Sequence, residues 1–111
     1  MLAAFEAGRA ACRPGALGRE VNAACRAPIE EAGLGEHFRH RMGHGIGMDV
    51  HERPFLSPED ETPLEPGMTF TDEPSLIVTN GWSLRIENII VVEEGGGRSL
   101  NSYPAALTVN R

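Results

Sequence analysis

The stretch that decides the fold is residues 39–54, RHRMGHGIGMDVHERP. It holds three of the four histidines, His40, His44 and His51, and it has glycine at positions 43, 45 and 47. Three glycines in five positions disfavour a helix and favour extended or looped backbone. A lone histidine is more often a satisfied surface or core residue than a ligand, but three within twelve positions of such backbone indicate a functional site.

Two common motifs do not fit this stretch. In an HExxH zinc site the histidines lie on a helix, whereas His51-Glu52 runs directly into Arg53-Pro54. The three glycines also lack the GxGxxG spacing of a dinucleotide-binding loop. The histidines therefore need partners from elsewhere in the chain.

Composition predicts one globular domain. The chain has 111 residues, 41% of them hydrophobic, with a formal net charge of −6. All ten basic residues are arginines and they are scattered, so the sequence offers no basic stripe for nucleic acid. No apolar run long enough for a signal core or a membrane span occurs, which favours a cytoplasmic location and no membrane partner. Cys12 and Cys25 lie in alanine-rich, helix-like sequence, and we expect them to be buried, reduced thiols.

The pattern of apolar and turn residues predicts an α+β fold, two helices followed by a mainly antiparallel sheet. The helices are expected over residues 2–12 and 18–32, the second kinked at Pro28 and ended at Gly33. A polar surface loop is expected over 52–67 and a strand over 68–74. Strands over 75–79 and 83–92 are expected to form a hairpin around Asn80-Gly81, with a short edge strand over 107–109.

Three further residues complete the candidate site. Glu73 precedes Pro74, which holds its backbone extended and fixes where its carboxylate points. Arg85 and Glu87 are two apart in a predicted strand and so share a face. Alone, they would be a solvated pair on a sheet surface. Together with the histidines, they suggest a metal site built from convergent carboxylates and imidazole.

Three ordered segments, HRMGHGIGMDVHERP, LEPGMTFTDEP and SLRIENIIVVEE, carry a resemblance to a known family. They resemble the signature segments of the pita-bread (creatinase/aminopeptidase) fold metallopeptidases, and the similarity covers essentially the whole chain. The resemblance is to the Xaa-Pro dipeptidase and aminopeptidase P branch, and it implies metal-dependent hydrolysis of the peptide bond before proline. It also implies that residues 1–111 are a single partial catalytic domain, the C-terminal half of the pita-bread domain.

The resemblance assigns a role to each candidate residue. His44, Glu73 and Glu87 would be metal ligands, Glu73 also moving a proton and Glu87 bridging two divalent ions. His51 would contact substrate or the oxyanion, and His40 and Arg85 would belong to the proline-directed catalytic apparatus. A donor set rich in carboxylate with one imidazole suits manganese best, with cobalt, iron or zinc as alternatives.

The chain also departs from the family pattern. Two aspartate ligands are expected upstream of the first helix, and no aspartate in this sequence occupies an equivalent motif. We therefore expect an isolated chain to be inactive and to need the upstream half of the domain or another chain as a partner. Exposed sheet edge and helix face should favour a homo-oligomer. Leu17 replaces a threonine that would cap the second helix.

Two other functions stay open on sequence grounds. A creatinase-like hydrolase would use the same fold on a different C–N bond. A non-catalytic module that binds a peptide or protein partner could keep the fold after losing the chemistry.

Overall fold

Two helices precede every strand in the chain, as the sequence predicted. The computed structural model describes residues 1–110. Helices α1 (Leu2–Ala11) and α2 (Gly18–Glu31) are followed by a 3₁₀ turn at Gly35–His37. The strands are β1 (Gly43–Gly45), β2 (Glu52–Leu56), β3 (Thr69–Asp72), β4 (Ser75–Ile77), β5 (Ser83–Arg85), β6 (Asn88–Val91) and β7 (Arg98–Ser99). All strand pairings are antiparallel, so the α+β prediction is confirmed.

The helices pack closely against each other and against the sheet. Val21, Cys25 and Ile29 recur every four residues along α2, and this stripe is buried in the core. Gly8 on α1 permits the close approach, because a Cβ there would overlap the Met42 side chain. Cys12 and Cys25 are buried and form no disulfide, as expected. Burial raises the pKa of both thiols to about 12, which disfavours the reactive thiolate.

The ends of α2 follow from the sequence. Leucine has no side-chain oxygen, so Leu17 leaves the helix without the usual cap, and the Glu20 carboxylate instead accepts the Leu17 N–H at 3.0 Å. Gly33 has φ 72° and follows the helix as predicted for a C-terminal cap. None of the helices found in residues 1–110 is long and apolar enough to cross a membrane.

The main sheet has the strand order β2-β1-β3-β6-β7, and β4 and β5 form a separate hairpin. Successive residues of β3 face opposite ways. Phe70 and Asp72 are completely buried beneath the helices, whereas the Thr71 hydroxyl contacts the carboxylate of Glu73, just beyond the strand. The sheet therefore has one face that supports the core and one face on which the candidate residues lie.

The prediction of a surface loop from residue 52 was wrong at its start. Residues 52–56 form β2, which pairs with β1 through His44 opposite Phe55. Pro54 is tolerated because β2 is the outermost strand of the sheet, where a missing N–H costs little. Pro54 therefore indicates an edge strand here and not a loop.

The hairpin around Asn80-Gly81 is confirmed, but the single strand predicted over 83–92 was wrong. Ser75 and Arg85 are the last paired residues of this ladder; the Ile86 N–H still donates to the Pro74 carbonyl at 3.4 Å, but Pro74 has no N–H to donate in return. The chain leaves the hairpin at Ile86 and enters the main sheet as β6. Arg85 and Glu87 therefore do not share one continuous strand.

The edge strand predicted over 107–109 was also wrong. The turn at residues 93–97 closes with a Gly96 N–H to Glu93 carbonyl hydrogen bond of 3.0 Å and returns the chain alongside β6. The two residues that follow it, Arg98 and Ser99, take the edge position as β7. Leu107 and Val109 are exposed.

Asp72 is an uncommon feature of the core. It is 0% exposed, and neither carboxylate oxygen has a hydrogen-bond partner among the described residues. Burial and, to a smaller extent, the Glu6 carboxylate raise its pKa to about 8, with Arg9 partly offsetting them. The folded state therefore holds the acid in its neutral form well above the pH at which the unfolded chain ionises.

Replacing Asp72 with valine should stabilise the protein, since it removes a buried polar group that nothing satisfies, a cost of about 1–3 kcal/mol. From about pH 4 to about pH 8 the unfolded chain releases a proton that the folded chain retains, so the stability of the parent falls as pH rises. The gain for Asp72→Val should accordingly be larger at pH 8 than at pH 5. Thermal unfolding at both pH values measures this gain in stability, with Asp49→Val at an exposed position as the control. An equal gain in stability at pH 5 and pH 8 would contradict the raised pKa of Asp72.

Candidate active site

His44 lies at the centre of β1, between two glycines that let the neighbouring strands come close. A Cβ at Gly43 would overlap the carbonyl oxygen of Thr71 on β3, and one at Gly45 would overlap the carbonyl oxygen of Glu52 on β2. His44 is buried, and its Nδ1 lies 2.9 Å from the Gly45 carbonyl oxygen. Donation of the Nδ1 proton to that carbonyl leaves Nε2 as the nitrogen available to the site.

Glu73 is the direct partner of this imidazole. Its Oε1 lies 2.9 Å from His44 Nε2, and its side chain is only 15% exposed. With Nδ1 directed at Gly45, the contact requires a proton on either Nε2 or Oε1. The imidazole of His44 and the carboxylate of Glu73 thus share one proton in a hydrogen bond.

Thr71 holds both members of this pair. Its buried hydroxyl accepts the backbone N–H of His44 at 3.0 Å and donates to Glu73 Oε1 at 2.8 Å. Sequence reasoning missed this residue. The signal was available, because Thr71 is two residues before Glu73 in an extended segment and therefore lies on the same face.

Arg85 connects the two glutamates of the site. Its Nε donates to Ser75 Oγ at 2.6 Å, and its Nη1 lies 3.3 Å from Glu73 Oε2 and 4.0 Å from Glu87 Oε2. Arg85 and Glu87 are each about half exposed. Glu87 therefore approaches the site through the guanidinium and does not touch His44 directly.

The two remaining candidates differ in position. The ring of His51 packs against that of His44, with centroids 4.2 Å apart and planes tilted by 41°. His40 is exposed and lines a cavity with Arg39 and Arg41, and no hydrogen bond, ion pair or ring contact described for residues 1–110 joins it to the others.

The structure thus brings together five of the six candidates: His44, His51, Glu73, Arg85 and, through Arg85, Glu87. Within residues 1–110, no three side chains of His, Cys, Asp or Glu are placed to hold a metal ion. Two contacts occupy the space that a metal ion would need. His44 and Glu73 touch each other directly, and the guanidinium of Arg85 lies between Glu73 and Glu87.

Two helices backing an antiparallel sheet, with a histidine and glutamates on its opposite face, define the C-terminal part of a pita-bread peptidase. The chain belongs to metallopeptidase family M24, whose model matches residues 1–94.

Several known proteins resemble the chain closely. The probable dipeptidase PepE of Mycobacterium tuberculosis is 46% identical over 107 residues, which are 96% of this chain and 28% of that protein. The crystal structure of dipeptidase PepE from Mycobacterium ulcerans matches with a TM-score of 0.90 and 45% identity, over 95% of this chain and 28% of that one. The Xaa-Pro dipeptidase from Bacillus anthracis matches with a TM-score of 0.91 and 40% identity, over 96% and 30%. The chain therefore spans under a third of the length of these relatives.

The role of Thr71 can be tested through stability. Thr71→Val keeps the shape of the side chain but leaves the buried His44 N–H without an acceptor, which should cost about 1–3 kcal/mol. Thr71→Ser retains the hydroxyl and should therefore lose less stability than Thr71→Val. Urea denaturation of both variants measures the difference, and a serine variant as unstable as the valine variant would show that the methyl group matters and the hydroxyl does not.

Proposed function

We propose that this chain supplies the C-terminal part of the active site of a metal-dependent peptidase that hydrolyses the bond before proline, as an Xaa-Pro dipeptidase or aminopeptidase. Membership of a metallopeptidase family supports the hydrolase class. Relatives named as dipeptidases and Xaa-Pro dipeptidases support the narrower choice. The cytoplasmic location stays a prediction.

One observation carries the proposal. His44 lies on β1 and Glu73 just after β3, yet Nε2 and Oε1 meet at 2.9 Å with Thr71 holding both. A structural histidine needs no such arrangement, because a carbonyl or water would satisfy it. Buried imidazole and carboxylate held together by a third side chain are typical of a site that handles metal or protons.

The donor set fits part of a metal site. His44 Nε2 is directed away from its own backbone contact, Glu73 offers carboxylate oxygens beside it, and Glu87 is a second carboxylate on the far side of Arg85. These three residues would hold the metal, and we propose manganese first, with cobalt, iron or zinc as alternatives. Two divalent ions bound in the complete domain would supply an activated water and polarise the scissile carbonyl.

The residues of the chain would then perform three tasks. Glu73 would carry a proton to the nitrogen of the leaving amine, as a carboxylate held at the site by Thr71 and Arg85. His51, packed against His44, would donate to the oxyanion. Arg85, fixed by Ser75, would hold Glu73 Oε2 in place and thereby set the direction of its carboxylate. For His40, a role in the proline-directed catalytic apparatus stays a prediction.

The proposal includes a partner. The chain covers 28–30% of the relatives' length, and two aspartate ligands expected of the family have no counterpart in it. We propose that residues 1–111 form part of one catalytic domain whose upstream half completes the metal site. Leu2, Ala3, Leu84 and Tyr103 line a largely apolar cavity of about 760 Å³ between the start of α1, β5 and the C-terminal segment. This surface would receive the upstream half or a second copy of the chain.

We expect a protein that joins this chain to the upstream half of the domain to bind about two metal ions per site. It should cleave a proline dipeptide, and His44→Ala and Glu87→Ala should each reduce hydrolysis to background because each removes a ligand. Elemental analysis and a dipeptide assay measure these outcomes, with Arg13→Ala as a charge-changing control in an exposed turn. Absence of bound metal would contradict the enzyme proposal. Turnover of a guanidino substrate that both changes partly spare would instead favour a creatinase-like hydrolase.

The isolated chain should self-associate through its exposed apolar side chains. Trp82 and Leu84 on the hairpin and Leu107 in the C-terminal segment are 51%, 41% and 87% exposed. Size-exclusion chromatography should show concentration-dependent oligomers, and Leu84→Ser with Leu107→Ser should shift the elution toward the monomer. A parent chain that stays monomeric at all concentrations would contradict this expectation.

A further inference from the structure

The turn between β1 and β2 carries His51 toward the candidate site. Residues 47–51 of this turn are all exposed, and its two large apolar side chains, Met48 and Val50, are 103% and 69% exposed. A segment without buried side chains keeps one conformation only through its hydrogen bonds. The position of His51 therefore depends on the polar contacts of the turn.

Glu52, the first residue of β2, closes this turn. Its Oε2 accepts the backbone N–H of Asp49 at 3.2 Å, and the Asp49 carbonyl accepts the Gly47 N–H at 3.1 Å. The chain is thereby held on both sides of His51. On one side Glu52 is paired in the sheet, and on the other side Asp49 is bound by the Glu52 carboxylate.

Gly47 makes room for this carboxylate. A Cβ at Gly47 would lie 2.5 Å from Glu52 Oε1, so any side chain there would displace the carboxylate. The backbone of Gly47 does not have a positive φ, and space is therefore the reason for glycine at this position. The third glycine of residues 43–47 thus resembles the other two, which also admit an oxygen atom of a neighbouring segment.

The chain uses the same contact at the start of α2. There Glu20 Oε2 accepts the N–H of Leu17, three residues earlier, at 3.0 Å. A carboxylate is a stronger acceptor for an N–H group than a neutral oxygen. Within residues 1–110 Glu52 takes part in no ion pair, so no cation draws its carboxylate away from the Asp49 N–H.

The closed turn determines where the His51 ring lies. This ring is exposed and packs against that of His44 with centroids 4.2 Å apart. An exposed ring can rotate about its side-chain torsions, and it stays over its neighbour only if the backbone that carries it is fixed. Release of Asp49 from Glu52 would free the backbone of His51 on one side.

We propose that Glu52 is a positioning residue of the active site, which fixes the turn that presents the His51 ring to His44 by accepting the Asp49 N–H. This inference rests on the proposed function, in which His51 donates to the oxyanion, and it adds a residue that acts through His51. Glu52 acts through an acceptor oxygen. A glutamine amide should therefore replace it, and an alanine should not.

The contact and its effect can both be measured by NMR on the chain itself, without metal and without cleavage. Hydrogen exchange of the Asp49 amide reports the contact, and the nuclear Overhauser effect between the His44 and His51 rings reports the position of His51. Glu52→Ala should speed exchange of the Asp49 amide about threefold to tenfold, the change expected for one lost hydrogen bond, and should weaken the ring-to-ring signal. Glu52→Gln should keep both close to the parent.

Gly47→Ala is an independent test, because it displaces the carboxylate without removing it. It should change both signals in the same direction as Glu52→Ala, and the double variant should add little to either single change, since both act on one contact. Glu20→Ala is the matched control. It removes the corresponding contact at the start of α2 and should leave the signal between His44 and His51 unchanged.

An unchanged ring-to-ring signal in Glu52→Ala would overturn the proposal, even if Asp49 exchanged faster, and so would an equal loss in Glu20→Ala. In the protein that joins this chain to the upstream half, Glu52→Ala should lower kcat about tenfold and leave KM within about twofold, because His51 would act on the transition state. A raised KM with unchanged kcat would contradict the positioning role. Because the NMR signals need no bond cleavage, their failure leaves the hydrolase proposal standing, whereas an inactive joined protein would count against the hydrolase proposal alone.

Discussion

The close approach of β1 to β3 is the constraint on which the site depends. Gly43 leaves no room for a side chain against the Thr71 carbonyl, so the two strands come near enough for the Thr71 hydroxyl to reach the His44 N–H. The same hydroxyl then fixes Glu73, whose carboxylate meets His44 Nε2. A larger residue at position 43 would push the strands apart and separate the imidazole from the carboxylate. The glycines beside His44 are therefore part of the site geometry.

Asp72 and Glu73 are adjacent acids with opposite environments, and strand alternation explains the difference. Glu73 points to the site face, where His44, Thr71 and Arg85 contact its two oxygens. Asp72 points under α1, where burial raises its pKa and no described group binds it. A hydrophobic residue would suit that position better. Burying Asp72 without a hydrogen-bond partner among the described residues destabilises the fold, while the charged groups of the site all lie on the other face of the sheet.

Much of the architecture could be predicted because local chemistry decided it. The alanine-rich first helix, the stripe of Val21, Cys25 and Ile29 in the second, and the Asn80-Gly81 hairpin each follow from short-range patterns. The predictions were wrong where the pairing of distant strands determined the local structure. Pro54 lies in a strand because β2 is at the sheet edge, and the strand predicted over 83–92 is interrupted where its pairing with β4 ends, next to Pro74. No pattern near either residue reveals which strand lies beside it.

The site could be predicted only in part, for a related reason. Residue types and spacing indicated His44, His51 and Glu73, and the structure brings these three into contact. They could not show that Arg85 would lie between the two glutamates, since the sequence predicted one continuous strand over 83–92 and the structure divides it into β5 and β6. The break between β5 and β6 thus has a chemical consequence. It leaves Arg85 at the end of β5 and Glu87 just before β6, so one guanidinium lies between a carboxylate that follows β3 and one that precedes β6.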